Sequence, residues 1–146
     1  MIYLLRHGDA EEGNRDDAAR RLTAKGNRQA RAAGRALAAM GAEIDACLVS
    51  PRVRAMDTAR LACEALSLEP ETAAELGGGS FDSLSLAAGR GEVLLVGHEP
   101  DFSNEVARLT GGKVKLRKGG LAIVDGSTLL ALLRPHDLAA LAERPD

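Results

Sequence analysis

An apolar run, Ile2-Tyr3-Leu4-Leu5, breaks off at Arg6-His7-Gly8. A short apolar run closed by a glycine reads as a buried strand opening into a tight turn. The pattern recurs: Glu92-Val93-Leu94-Leu95-Val96 stops at Gly97-His98. A third run, residues 44–49, ends at Ser50-Pro51-Arg52-Val53-Arg54. In α/β proteins ligands bind beyond the carboxyl ends of the strands. If the three runs lie parallel in one sheet, their ends open on one edge and bring two imidazoles and several guanidiniums together.

The intervening segments fit that arrangement. After the polar stretch 9–21, with a turn signal at Gly13-Asn14, Thr23 is placed to cap a helix running to about Met40. Ala30, Ala33, Leu37 and Met40 fall on one face of it, and Gly41 ends it. A second helix is expected over residues 52–66, started by Pro51, with Met56, Ala59, Cys63 and Leu66 facing inward. A short strand is expected within 69–76, then a flexible break at Gly77-Gly78-Gly79-Ser80 and a weak helix over 81–88. Pro100 starts a helix carrying Phe102, Val106 and Leu109 on one side, closed by Gly111-Gly112. The basic run Lys113-Val114-Lys115-Leu116-Arg117-Lys118 leads to strands over 120–124 and 128–133, joined by the hairpin signal Asp125-Gly126. A short helix follows from Pro135. The order predicts a three-layer α/β sandwich, a mostly parallel central sheet with an antiparallel edge strand. With no repeat and no linker, residues 1–146 read as a single domain.

Composition narrows the partners. Aromatic residues make up 2% of the chain, Tyr3, Phe81 and Phe102 with no Trp, so base-stacking platforms are not expected. A formal charge of −2 argues against a general polyanion binder, and nucleic acid is not an expected partner. Cys47 and Cys63 lack metal-type spacing and read as buried, reduced thiols. Arg6 cuts the first apolar run too short for a signal peptide, and no stretch approaches a membrane span. The expectation is a soluble, cytoplasmic protein without membrane partners; the oligomeric state is not legible.

Two imidazoles among arginines suit an anion, and arginine suits phosphate because its planar fork donates two hydrogen bonds at once. A metal site is the competing reading. Histidines flanked by arginines are a poor home for a dication, however, and no helix carries paired His or His-Glu ligands, so neither metal nor cofactor is expected. A module that recognises phosphate without turning it over is a further alternative.

Leu5-Arg6-His7-Gly8, the stretch from Ser50-Pro51-Arg52-Val53-Arg54-Ala55 to Thr58-Ala59, and Val96-Gly97-His98-Glu99-Pro100 resemble the three signatures of the histidine phosphatase superfamily, which is phosphoglycerate mutase-like in fold. Arg20-Arg21-Leu22-Thr23-Ala24-Lys25-Gly26 and Lys118-Gly119-Gly120-Leu121-Ala122 extend the resemblance towards its SixA-type phosphohistidine phosphatase branch. The resemblance implies that His7 is the nucleophile and forms a phosphohistidine intermediate, with Arg6, Arg54 and His98 forming the phosphate pocket. In the second signature the matched arginine is Arg54, the one directly before Ala55, while Arg52 is its neighbour. Arg20 corresponds to a further pocket arginine, with Arg21 adjoining. No residue claims the role of general acid: Glu75 and Asp82 lie in the right region, and Asp9 and Glu11 follow His7 closely. The mutases carry an Asn six residues after the nucleophile; Gly13 stands there, with Asn14 next.

The implied substrate is phosphohistidine on a protein such as a phosphotransfer domain, because a labile P–N bond needs less help in leaving than an alkyl phosphate. Small phosphorylated metabolites are the alternative. The basic run from Lys113 is open to two readings, steering of an acidic protein partner or charged protection of a sheet edge.

Overall fold

The computed structural model describes residues 1–12 and 16–143. The Gly13-Asn14 turn signal lies outside the described residues.

At the centre of the sheet, β1 (Ile2–Arg6) pairs in parallel with β4 (Val93–Gly97), and β4 pairs in parallel with β2 (Ala46–Val49). All of β4 is buried and it reads as an unbroken apolar run, as a strand covered on both faces must. The register sets Leu5 opposite Val96 and Val96 opposite Val49. The three strands therefore end level, and His7, His98 and Ser50 follow at one edge. Beyond β2 lies the short strand β3 (Pro70–Thr72), parallel to it. On the other side β5 (Leu121–Asp125) runs antiparallel to β1 and pairs with β6 (Thr128–Leu133), so an antiparallel hairpin forms that edge of a six-stranded sheet. Asp125 pairs with Thr128, which makes Gly126-Ser127 the two-residue loop, one position later than the Asp-Gly signal suggests.

Helices cover both faces. On one, α1 (Ala24–Ala39), α2 (Val53–Glu64) and α5 (Pro135–Ala142) set Ala33, Leu37, Ala59, Ala62 and Leu138 against Tyr3, Leu5, Leu94 and Val96. On the other, α4 (Asp101–Thr110) sets Phe102 and Val106 against Leu4, Leu95 and Leu48, with α3 (Ser83–Ala87) preceding β4. Two methionines expected in the core are instead exposed, Met40 at 41% and Met56 at 42%. Met40 sits at the C-cap, past the last buried turn of α1. In α2 the inward stripe is Ala55, Ala59 and Ala62, and Met56 is turned about 100° from Ala55 on the helix.

Two glycines let the backbone close around the strand ends. A Cβ on Gly26 would lie 2.0 Å from the Asp9 carbonyl oxygen, so only glycine lets the first turn of α1 rest on the loop leaving β1. A Cβ on Gly97 would lie 2.7 Å from the Phe102 ring. Thr23, the N-cap of α1, accepts from Gly26 N and donates to an Asp9 carboxylate oxygen at 2.8 Å, which ties that loop to the helix.

Candidate active site

His7 leaves β1 almost completely buried, 5% exposed. Its Nδ1 lies 2.7 Å from the Gly8 carbonyl oxygen. A carbonyl only accepts, so the proton sits on Nδ1 and Nε2 carries the free lone pair. Arg54 Nε faces that lone pair at 3.4 Å. Burial pushes the imidazole down from 6.5 to about 4; the Gly8 carbonyl opposes this, and Arg54, Arg6 and Lys118 reinforce it. The ring is neutral at ordinary pH, with Nε2 unprotonated. Gly8 N–H donates to Thr58 Oγ1 at 3.0 Å, and Thr58 Oγ1 donates to the Arg54 carbonyl at 2.8 Å. One hydroxyl thus locks the β1 turn to the first turn of α2.

Arg54 is itself buried, 7% exposed, and its guanidinium is held from above by the 3₁₀ turn Asp17–Ala19. Its Nη1 donates to the Asp17 carbonyl at 2.9 Å and its Nη2 reaches the Asp17 carboxylate at 3.4 Å. The same carboxylate pairs with Arg20 at 2.9 Å and with Arg52. Hydrogen bonding from Arg20, then the charges of Arg54 and Arg52, hold the Asp17 carboxyl below its usual range. Arg52 also donates from Nε to the Gly77 carbonyl at 2.8 Å, and Arg20 from Nε to the Glu11 carbonyl at 2.6 Å. Arg21 points outward to Asp57 at 3.5 Å.

His98 follows β4 on the neighbouring strand, its ring centroid 5.2 Å from that of His7. Its Nε2 lies 2.8 Å from Ser50 Oγ, at the end of β2. Burial pushes it down from 6.5 to about 3, with His7 and Arg54 adding to the effect. Arg6 donates from Nη1 to the Leu116 carbonyl at 2.9 Å. Leu116 is held in turn by Glu99, whose carboxylate accepts from Leu116 N at 3.2 Å and from Ser103 N at 2.7 Å. Gly119 N donates to the His7 carbonyl at 2.9 Å, so the segment after Lys118 lies directly on the strand end. Arg6 Nε and His98 Nδ1 are buried with no hydrogen-bond partner among the described residues. Buried polar atoms are nearly always paired, and two such atoms beside one neutral imidazole suit a ligand that accepts hydrogen bonds.

The structure brings His7, Arg54 and His98 into one cluster with Arg6 at its side, and joins Arg20 and Arg52 to it through Asp17. Among the described residues none of the acid candidates Glu75, Asp82, Asp9 and Glu11 pairs its carboxylate with that cluster. Glu75 is exposed on the 3₁₀ turn Ala74–Leu76. Asp82 caps α3, accepting from Leu84 N and Ser85 N, and pairs with Arg108 at 3.1 Å. Asp9 is occupied by Thr23 and by Lys118 at 3.7 Å. Asp17, Thr58, Ser50 and Glu99 escaped the sequence reading. Ser50, Thr58 and Glu99 lie within the signature stretches, whereas nothing local distinguishes Asp17 from Asp16. Among the described residues no group of three His, Cys, Asp or Glu side chains could hold a metal ion, and no helix is long and apolar enough to cross a membrane.

Residues 2–88 match the model of the histidine phosphatase superfamily, branch 1. A Haemophilus influenzae protein named as a phosphohistidine phosphatase SixA homolog is 34% identical over 126 residues, 75% of this chain and 77% of that one. Among solved structures, the protein histidine phosphatase SixA complexed with tungstate superposes with a TM-score of 0.81 at 28% identity, over 94% of this chain and 98% of that one. The alpha-ribazole phosphatase from Shigella flexneri shares the fold, with a TM-score of 0.70 at 21% identity, over 91% and 95% of the two chains. The protein belongs to the histidine phosphatase superfamily, with its fold and its phosphatase chemistry on the SixA-like side of that group.

Proposed function

We propose that His7 is the nucleophile of a phosphatase that removes phosphate from phosphohistidine on a protein, and that residues 1–146 act as one catalytic domain. The observation that carries this reading is the His7 tautomer: Nδ1 donates to the Gly8 carbonyl, so the lone pair stands on Nε2, facing Arg54. Nε2 attacks phosphorus; a new N–P bond forms as the bond to the substrate's imidazole nitrogen breaks, and that nitrogen leaves with a proton. Arg6, Arg54 and His98 hold the phosphoryl oxygens through the transition state, where fixed donors contribute most. Water then attacks the phosphoenzyme, the N–P bond breaks, and inorganic phosphate departs as His7 returns to its neutral form.

The choice of substrate rests on what surrounds this cluster. Asp17 is the carboxylate in contact with the pocket arginines, and its depressed pKa keeps it ionised, which makes it a poor proton donor at neutral pH. A phosphohistidine ring takes its own proton near neutrality, so an acid in the site is dispensable. The names of the relatives and the tungstate, a tetrahedral oxyanion, in the SixA structure point the same way. Arg20 takes its place as a pocket residue through Asp17 rather than by facing His7.

The test is a substrate panel with and without chelator, comparing a phosphohistidine-bearing phosphotransfer domain with sugar phosphates and p-nitrophenyl phosphate. The phosphoprotein should have the highest kcat/KM, insensitive to chelator, with a phosphoenzyme trapped by acid quench. Faster hydrolysis of small phosphomonoesters would overturn the substrate assignment. Failure to trap a phosphoenzyme would overturn the nucleophile.

A further inference from the structure

The basic side chains near the strand ends fall into two sets. Those on the Asp17 side are paired. On the Arg6 side a cleft of ≈ 520 Å³ is lined by Arg6, Lys25, Lys115, Arg117 and Lys118, with Asp9 as the carboxylate among its lining residues. A second cleft of ≈ 580 Å³ shares Lys25, Gln29 and Pro135 with the first and continues along α1 past Arg28, Arg31 and Arg35, with His136 and the carboxylate Glu143 on its α5 side. Lys118 pairs with Asp9 at 3.7 Å and Arg31 with Glu64 at 4.0 Å. Lys25, Arg28, Arg35, Lys115 and Arg117 have no carboxylate within 4.0 Å among the described residues.

We propose that this continuous groove is the docking site for an acidic segment of the phosphoprotein substrate, a second anion-binding site that begins at Arg6 and runs along α1. It rests on the reading of a phosphoprotein substrate and adds where that protein lies. Three features select this occupant.

The first is charge. The whole chain carries −2, so a groove this basic is a local arrangement, and like charges spaced three and four apart on α1 repel one another unless an anion lies across them. The second is convergence. Lys115 and Arg117 come from a segment 76 or more residues after the end of α1 in sequence, and that segment is fastened to the β1 turn by the Leu116 carbonyl on Arg6 and by Gly119 N on His7. The third is length. From Lys25 to Arg35 the helix advances about 15 Å, beyond the reach of a small metabolite whose phosphoryl group is anchored at His7, but matched by about five residues of extended chain. Nucleic acid fits poorly, because Tyr3 and Phe102 are buried and no Phe, Tyr or Trp lines either cleft, His136 being the one ring there among the described residues.

The experiment compares wild type with Arg28→Gln/Arg35→Gln and Lys115→Gln/Arg117→Gln, none of which places a substitution in the catalytic cluster. For a phosphohistidine-bearing phosphotransfer domain in about 50 mM salt, kcat/KM should fall about tenfold or more in each pair, and its salt dependence should flatten. For p-nitrophenyl phosphate it should change less than about twofold. Equal losses on both substrates, or no loss on the protein, would overturn the proposal. A glutamate peptide of about ten residues should inhibit p-nitrophenyl phosphate hydrolysis by wild type, and inhibition should weaken about fivefold in either variant. This second arm needs no phosphohistidine. If wild type ignores the phosphoprotein yet the peptide still inhibits through these residues, the substrate reading fails and the groove stands. If the peptide does not inhibit, or duplex DNA competes better than the peptide, the groove proposal fails.

Discussion

The ends of β1 and β4 carry the same sequence grammar, an apolar run, a turn and a histidine, yet their imidazoles are held in opposite ways. His7 is tied through Nδ1 to its own chain, at the Gly8 carbonyl, and presents Nε2 to Arg54. His98 is tied through Nε2 to the end of a different strand, at Ser50, and its Nδ1 has no hydrogen-bond partner among the described residues. Both are driven neutral by burial. A local tether fixes the tautomer of His7, the proposed nucleophile. A tether from a neighbouring strand fixes the position of a ring that has only to be near. The two strand ends thus illustrate how one local pattern, set on adjacent strands, yields two differently held imidazoles, which suits the proposed roles of nucleophile and donor.

The contrast is broken most severely at His7. Replacing it with Ala should abolish the acid-quenched phosphoenzyme and lower turnover by about 10⁴-fold or more; an Ala variant that still becomes labelled would show that His98 can substitute. His98→Ala should slow turnover by about 10²–10³-fold while leaving the phosphoenzyme trappable, as expected for a group that stabilises charge without forming a bond. Loss of labelling there would erase the distinction between the two rings.

The pH response sharpens the same comparison. Because His7 stays neutral down to about 4, the acid limb of kcat/KM should fall well below 6.5, towards pH 4. The sign for stability follows from the same shifts. Between the unfolded pKa of 6.5 and the folded values of about 4 and about 3, the unfolded chain binds more protons than the folded one. Stability is therefore unaffected by these rings above that window and falls as pH drops through it, by about 3 kcal/mol or more for each ring once the window is crossed. Thermal unfolding at pH 7 and at pH 4.5 measures this, and His98→Asn should flatten the difference.

Ser50→Ala removes the tether of His98 and, with it, the acceptor of the Arg52 N–H at 3.2 Å. One hydrogen bond contributes about 1 kcal/mol, so a loss of roughly fivefold is expected in kcat, with little change in labelling. The smallest effect belongs to Asp17→Asn. Removing an exposed carboxylate that shares the pocket arginines should tighten inhibition by inorganic phosphate about two- to threefold, read as a lower inhibition constant.

The three strand ends were legible in the sequence because burial on both faces leaves an unbroken apolar run and a ligand site demands an abrupt stop. Helix α1 was legible for the same kind of reason, a Thr23 cap and a periodic Ala30, Ala33, Leu37 stripe. The methionines were misplaced because periodicity tells which residues share a face but not where a helix ends or how it is rotated on the sheet. Asp17 was hidden for a different reason. Its role depends on Arg52 and Arg54, which reach it across 35 and 37 positions in the chain, and no local pattern encodes such a meeting. Glu99 lay in plain view beside His98, but its task of holding Leu116, and through it Arg6, belongs to the tertiary structure.

The level register of β1, β4 and β2 also has a bearing on folding. Leu5, Val96 and Val49 lie side by side although the chain must close loops of several tens of residues to bring them there. Such non-local pairings form late and together. A slip of one residue between β1 and β4 would turn His7 and His98 to opposite faces of the sheet. The two rings therefore meet only when the central strands have found their final alignment, and catalysis should emerge during refolding as a single late event rather than by degrees.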